Sequence, residues 1–378
     1  MKASIGFVAA DSADFLSQEQ KRDVIYNNAA WFLRLGEEEI ASPRVVSGPR
    51  RHRRDEKLYD YAGHSRTQRI NRLDLAPRCQ NQKKMSEILH SINRRRPVPT
   101  VRADSVQEFQ EQFKLKGLPA VIPGVVADWP AIQRWSPDFF RDRFGDRQVT
   151  LDGQLHILAD FLGNCHGTVQ NGSTTPYLRQ TKIRDLFPEE LPQLQPTPPH
   201  WRSNWLDGSH VPARLRTSAA HNYEILMGDA GTSFPTIHYD TLHLHAFVIQ
   251  IFGRKKISLM APHESSNLYP DPERPNKSTV PIDAAVADYP LLRNVTLYDA
   301  ELAPGDAIFI PWGWWHAVIN PELSIAVTLN LADRTNWKEY TTDWVSRQDF
   351  GPVKKVLAAR ILQVCGWLRA SREQYGSR

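Results

Sequence analysis

The chain has 378 residues, 41% hydrophobic and 24% charged, an ordinary globular composition that excludes collagen-like or wholly disordered structure. No run of 18 apolar residues occurs, so no transmembrane helix or membrane partner is expected, and Cys79, Cys165 and Cys365 are too few for a disulfide framework, which leads to a reducing, cytoplasmic setting as the expectation. The formal net charge of +5 is uneven: residues 1–100 carry 19 Lys and Arg against 12 Asp and Glu, and the remainder carries 28 against 30. Any binding of nucleic acid therefore concerns the N-terminal arm alone.

Residues 1–30 contain Asp11, Asp14, Glu19 and Asp23 and no apolar core of a secretory signal. Apolar spacing at Val24, Ile25, Ala29, Phe32 and Leu33, with Gly36 after it, predicts a short helical piece within 1–41. Its stretch FLSQEQKRDVIYNNAAWFLRLGEEEIA resembles the C-terminal tail of metal-dependent amidohydrolases, with none of that family's metal ligands, which fits a fusion relic or a misplaced start codon. Residues 42–100 read as a basic, disordered linker, since 44–96 holds 15 basic and 5 acidic residues. The linker is either a solvated tail or a phosphate-binding arm.

Ordered structure is expected from Val101. Asp104 or Ser105 caps a predicted helix through Lys116, a short buried strand covers 119–122, Pro123-Gly124 turns, and Ser136 caps a second helix. Six prolines in 187–215 predict an irregular covering loop. From His221 to Asn330, short apolar strands are separated by Gly and Pro, the pattern of an antiparallel barrel or jelly roll. The expected fold is mainly β, with flanking helices. Within the C-terminal extension, 338–378, the segment 353–370 predicts an amphipathic helix with Val356, Leu357, Ile361, Val364, Cys365 and Leu368 on one side. That helix would cover the barrel or form a homodimer contact.

The chemistry concentrates in FPTIHYDTLHLHAFVIQIFGRKK and LAPGDAIFIPWGWWHAVIN. His238 and Asp240, two apart on a strand, face the same side. His316 follows 78 residues later, far enough to return beside them. Two imidazoles and one carboxylate make a facial triad that leaves three positions open, which suits non-haem Fe(II) with a chelating cosubstrate and O2. Zinc prefers closed sites with Cys or His, and no cysteine lies near these motifs.

The blocks GLPAVIPG, WSPDFF, PYLRQ, HYD, QIFGRKK, LYP, PGDAIFIPWGWWH and VTLN, in this order between Val101 and Trp337, resemble the JmjC/cupin-like family of Fe(II)- and 2-oxoglutarate-dependent oxygenases. They are most similar to the branch containing the asparaginyl hydroxylase of hypoxia-inducible factor. The resemblance implies a double-stranded β-helix over 101–337, Fe(II) on His238, Asp240 and His316, and 2-oxoglutarate as cosubstrate. It implies Lys255 and Tyr177 at the distal carboxylate and Asn330 near the metal. Strand alternation sends Lys256 to the opposite face. The competing structural readings are a surface lysine, a core aromatic and a strand-end cap. Relatives carry Thr three residues before the first His, where this chain has Pro235, so Thr236 is assigned to the cosubstrate with an altered facing. An Asn of the family falls at His245 or Ala246, and His243 and His245 are either pocket histidines or an outward pair. Trp312, Trp314 and Trp315 serve as pocket wall or as core. The implied activity is hydroxylation of a C–H bond in a protein or peptide, with a small-metabolite hydroxylase and a non-catalytic metal-binding cupin as alternatives.

Overall fold

The computed structural model describes Leu89 and residues 92–165, 177–208, 210–212, 223–234, 236–280 and 286–375. The helix expected within 1–41 and most of the expected linker lie outside these residues. Contacts divide the chain into two compact units: Ile70–Asp207 with Thr217–Tyr340, and Met1–Arg69 with Gly208–Arg216 and Thr341–Arg378. No helix among the described residues is long and apolar enough to cross a membrane.

The first of these units carries the strands β1 (Arg94–Pro97), β2 (Ala120–Ile122), β3 (Gln148–Leu151), β4 (Gln154–Ile157), β5 (Leu178–Lys182), β6 (Glu224–Gly228), β7 (His245–Phe252), β8 (Lys255–Met260), β9 (Thr296–Leu302), β10 (Ala307–Ile310), β11 (Trp315–Ile319) and β12 (Ser324–Leu331). One sheet runs β1-β9-β8-β11 and the other β2-β10-β7-β12-β6-β5, with β3-β4 as a separate hairpin. Strand pairing is antiparallel except between β1 and β9. This is the jelly-roll architecture expected from the alternation of short strands and turns.

Strand alternation divides the core into layers. Phe247, Ile249, Ile251, Phe309, Val327 and Leu329 point out of the barrel and pack with Phe109, Trp129, Phe140 and Trp201. Their strand neighbours Ala246, Val248, Ile308, Ile310 and Ala326 point inward, toward Ile257 and Leu259 of the other sheet. Fully burying one such Ile or Phe contributes about 1.5–3 kcal/mol. Small inward residues such as Ala246 and Ala326 keep the interior open where a ligand needs room. Gly253, with φ +66, turns β7 into β8, and a Cβ there would run into the Leu323 carbonyl.

Several local expectations are corrected. Order begins before Val101: β1 pairs with β9, and Leu89 and Ile92 are buried against Met260, Val295 and Leu297. Apolar side chains just ahead of an arginine-rich strand outweigh the composition of the stretch. The helix after Ser105 runs as Val106–Glu108 and then as a π-helix over Phe109–Lys114, with no side-chain cap from Ser105, while Asp104 pairs with Arg102 at 2.6 Å. Ser136 does cap Pro137–Phe144, accepting from Phe139 N at 3.1 Å. The proline-rich segment folds into short helical turns at Pro188–Gln193 and Pro199–Arg202, each with proline in the first turn, where it is tolerated, and at Trp205–Asp207.

In the second unit, the helix Pro352–Tyr375 buries Ala358, Ile361, Leu362 and Cys365. That stripe has i, i+3, i+4, i+7 spacing. Val356, expected on the same side, lies outside the stripe and is 65% exposed. Within this unit Arg369 meets His210 at 3.1 Å and Gln363 meets Thr342 at 3.4 Å.

Candidate metal centre

His316 lies on the inner face of β11, since Trp315 and Ala317 pack on the other side of the sheet. His238 pairs with it through reciprocal backbone hydrogen bonds, His238 N to His316 O at 3.2 Å and His316 N to His238 O at 2.7 Å. The imidazole centroids are 4.3 Å apart. Asp240 follows on the same side, with Oδ1 4.0 Å from His316 Nε2. One ligand atom from each of the three residues falls within 4.8 Å of the other two.

The imidazoles are oriented by the backbone. His238 Nδ1 donates to Thr236 O at 3.0 Å and His316 Nδ1 to Trp314 O at 3.2 Å. A carbonyl only accepts, so each Nδ1 carries the proton and each Nε2 offers its lone pair to the common centre. Burial above all holds His238 well below its ordinary range, which keeps it neutral and able to ligate. Phe234 stacks on His238 at 4.0 Å. Two imidazoles and a carboxylate with ligand atoms within 4.8 Å of one another make a donor set that suits a divalent ion.

The second half of the site is a buried cation. Lys255 is fully buried on the inner face of β8, four residues before Leu259, the register partner of His316. Its Nζ donates to Asn320 Oδ1 at 2.6 Å and to Tyr177 Oη at 3.4 Å. Among the described residues no carboxylate pairs with it, and burial lowers it to about 7. Asn320 Nδ2 donates to Thr232 Oγ1 at 2.8 Å. Burial raises the Tyr177 hydroxyl above its ordinary value, so it stays a phenol that can donate. A cationic group buried without a counter-charge invites an anion, since ionising it alone is costly. A carboxylate is an anion that Lys255 Nζ and the Tyr177 hydroxyl together would suit. Gly228 makes the space: a Cβ there would lie 2.5 Å from Tyr177 Cδ2, 2.6 Å from Asn320 Nδ2 and closer still to Thr232 Oγ1.

The remaining expected residues are placed as follows. Asn330 shares the inner side of β12 with Ala326 and Thr328 and is half-buried, and its carbonyl accepts from Asn204 at 2.8 Å. Thr236 contributes its carbonyl to His238, whereas the threonine hydroxyl in the lysine network belongs to Thr232. Ala246 faces inward, while His245 faces outward. Trp315 and Trp314 are core residues, donating to Ser265 at 2.8 Å and to Gly117 O at 2.9 Å, and Trp312 is 39% exposed beside His243. Sequence reasoning missed Asn320, Thr232 and Gly228. Alternation from His316 through Val318 to Asn320 was the available signal for the first; nothing local marks the other two.

A family model, the cupin-like domain, matches residues 106–332. Jumonji C domain-containing protein 5 of Drosophila melanogaster is 30% identical over 253 residues, 61% of this chain and 59% of the relative. Lysine-specific demethylase 8 of Xenopus tropicalis is 26% identical over 249 residues, 61% of this chain and 52% of the relative. tRNA wybutosine-synthesizing protein 5 of Mus musculus is 24% identical over 293 residues, 71% of this chain and 87% of the relative. The chain thus spans little more than half the length of the first two. With more than half of its residues matched by the family model, the chain belongs to the cupin-like, JmjC-type family.

Proposed function

We propose that the chain is an Fe(II)- and 2-oxoglutarate-dependent oxygenase that hydroxylates a C–H bond, most simply one in a protein or peptide side chain. The reaction uses O2, turns 2-oxoglutarate into succinate and CO2, and leaves one oxygen atom on the substrate carbon. The observation that carries this reading is that a His238–Asp240–His316 set and a fully buried Lys255 without a counter-charge lie on the inner faces of the paired strands β11 and β8. That lysine argues against a metal-binding protein without cosubstrate chemistry.

When bound, the ferrous ion would supply O2 activation and Lewis-acid binding of the keto-acid end of the cosubstrate. The chain's own groups do the rest. His238 and His316 present neutral Nε2 atoms because Thr236 O and Trp314 O hold the protons at Nδ1. Lys255 and Tyr177 orient the distal carboxylate, and Asn320 and Thr232 fix Lys255 in turn. Ala246, Val248 and Ile257 exclude water from the interior.

A second reading, removal of an N-methyl group, is favoured by the names of relatives such as lysine-specific demethylase 8. Hydroxylation of an N-methyl carbon gives a carbinolamine that releases formaldehyde, so the same site would serve both outcomes. The test is succinate formation by the purified chain with Fe(II), 2-oxoglutarate and candidate peptides, with mass spectrometry for a gain of one oxygen and an assay for formaldehyde. His238→Ala, Asp240→Ala and His316→Ala are each expected to abolish turnover. Retained turnover in Asp240→Ala would overturn the reading.

A further inference from the structure

We propose that the turn Asp333–Asn336, just after β12, is a positioning clamp that sets the metal ligands Asp240 and His316 through His245 and the His243 carbonyl. The inference rests on the metal-centre reading above and assigns a role to residues outside the cavity.

The clamp holds two arms. Trp312 N donates to His245 Nδ1 at 3.1 Å, so the imidazole proton sits on Nε2, which donates to Thr335 Oγ1 at 2.8 Å. Thr335 Oγ1 passes a hydrogen bond to Asp333 Oδ1 at 2.6 Å, and Asp333 Oδ2 pairs with the buried Lys114 at 2.6 Å. This arm fixes the turn that leads from Trp312 to His316, four residues on. The other arm is Asn336, whose Oδ1 accepts from Asp333 N at 2.8 Å and whose Nδ2 donates to His243 O at 2.8 Å. His243 lies three residues beyond Asp240.

The second arm has a specific task. Leu242 and His243, two and three residues after the ligand Asp240, both have left-handed backbone, φ +62 and +53. Neither is glycine, so this loop relaxes elsewhere unless its surroundings over-determine it. Asn336 is fully buried and supplies that constraint from the residue just before the helix Trp337–Ser346. The first arm is equally committed. Burial, opposed by Asp333, brings His245 down to about 4, so it stays a neutral relay of two hydrogen bonds. Burial opposes ionisation of Asp333, yet the charge of Lys114 and the bonds from Lys114 and Thr335 hold its carboxyl below the ordinary range.

The test uses the full chain, without O2, and measures Mn(II) affinity by titration calorimetry and the melting temperature without metal. Thr335→Val keeps the volume and removes the hydroxyl, and Thr335→Ser keeps the hydroxyl. Asn336→Asp keeps the acceptor for Asp333 N and removes the donor to His243 O. Thr335→Val and Asn336→Asp are each expected to weaken Mn(II) binding about tenfold or more, and Thr335→Ser to stay near wild type. Wild-type affinity in both weakening variants, or equal loss in the serine variant, would overturn the clamp. A purely structural turn would lower the melting temperature and leave the affinity of the folded protein unchanged. If Thr335→Val does not melt cooperatively, Asn336→Asp decides. If neither folds, the turn serves the fold and the positioning role fails. Absence of Mn(II) binding by the wild type would overturn the metal centre itself, which separates the two failures.

Discussion

Lys255 and Lys256 are neighbours in sequence with opposite surroundings: Lys255 is fully buried with Nζ 2.6 Å from Asn320, and Lys256 is exposed and pairs with Glu301 at 3.7 Å. Removing one partner of a buried charge pair costs about 3–5 kcal/mol. At 1.4 kcal/mol per decade, Lys255→Ala is expected to raise the KM for 2-oxoglutarate by roughly two to three orders of magnitude. Lys256→Ala should cost under about 1 kcal/mol. Steady-state kinetics with varied 2-oxoglutarate checks this, and equal KM values in the two variants would sink the cosubstrate assignment.

Cosubstrate binding should take up a proton. Burial lowers Lys255 to about 7 in the free protein, and a bound carboxylate favours its charged form. Above about pH 7 the neutral lysine must gain a proton on binding, so affinity should fall by up to about tenfold per pH unit. The stability of the free protein moves the other way. The folded lysine titrates near 7 and the unfolded one near its ordinary 10.5, so between these values the unfolded state holds more protons. This group therefore adds stability to the free protein as pH rises through that window. Titration calorimetry at pH 8 in two buffers of different ionisation enthalpy reads the uptake; identical heats would contradict it.

Gly228→Ala should damage the site without touching a ligand. Its Cβ would collide with Tyr177, Asn320 and Thr232, three side chains that meet at the lysine end of the cavity. Overpacking of this kind costs about 1–3 kcal/mol. A lower melting temperature and a KM for 2-oxoglutarate raised more than about tenfold are expected, with Mn(II) affinity little changed. An unaltered KM would show that the cosubstrate lies elsewhere.

Deletion of residues 1–97 should destabilise the barrel. It removes β1, which pairs with β9, and the buried Leu89 and Ile92, each of which costs about 2–5 kcal/mol when cut back to alanine. A deletion ending at residue 88 keeps all three features. Thermal melting of the two truncated proteins should differ clearly, and coincident curves would show that β1 contributes nothing.

The sequence by itself determined the strand-rich class, the capping of Pro137–Phe144 by Ser136, and the set His238, Asp240 and His316. Alternation, cap chemistry and the same-side spacing of His238 and Asp240 are local rules, whereas His316 was added by its motif block and the family resemblance. Alternation put Lys255 and Lys256 on opposite faces, and the family resemblance, not alternation, chose Lys255 as the inward one. Only the tertiary structure decided the rest. Asn320 becomes the partner of Lys255 because β11 pairs with β8, and Gly228 and Thr232 join them from another part of the chain. The ordering of β1 depends on β9, some 200 residues away, and composition could not show it. His245 was ambiguous in sequence, since alternation alone does not say which side of a strand is the inside. Pairing across β7, β10 and β12 sets that side, and with it the place of His245 beside Trp312 and Thr335.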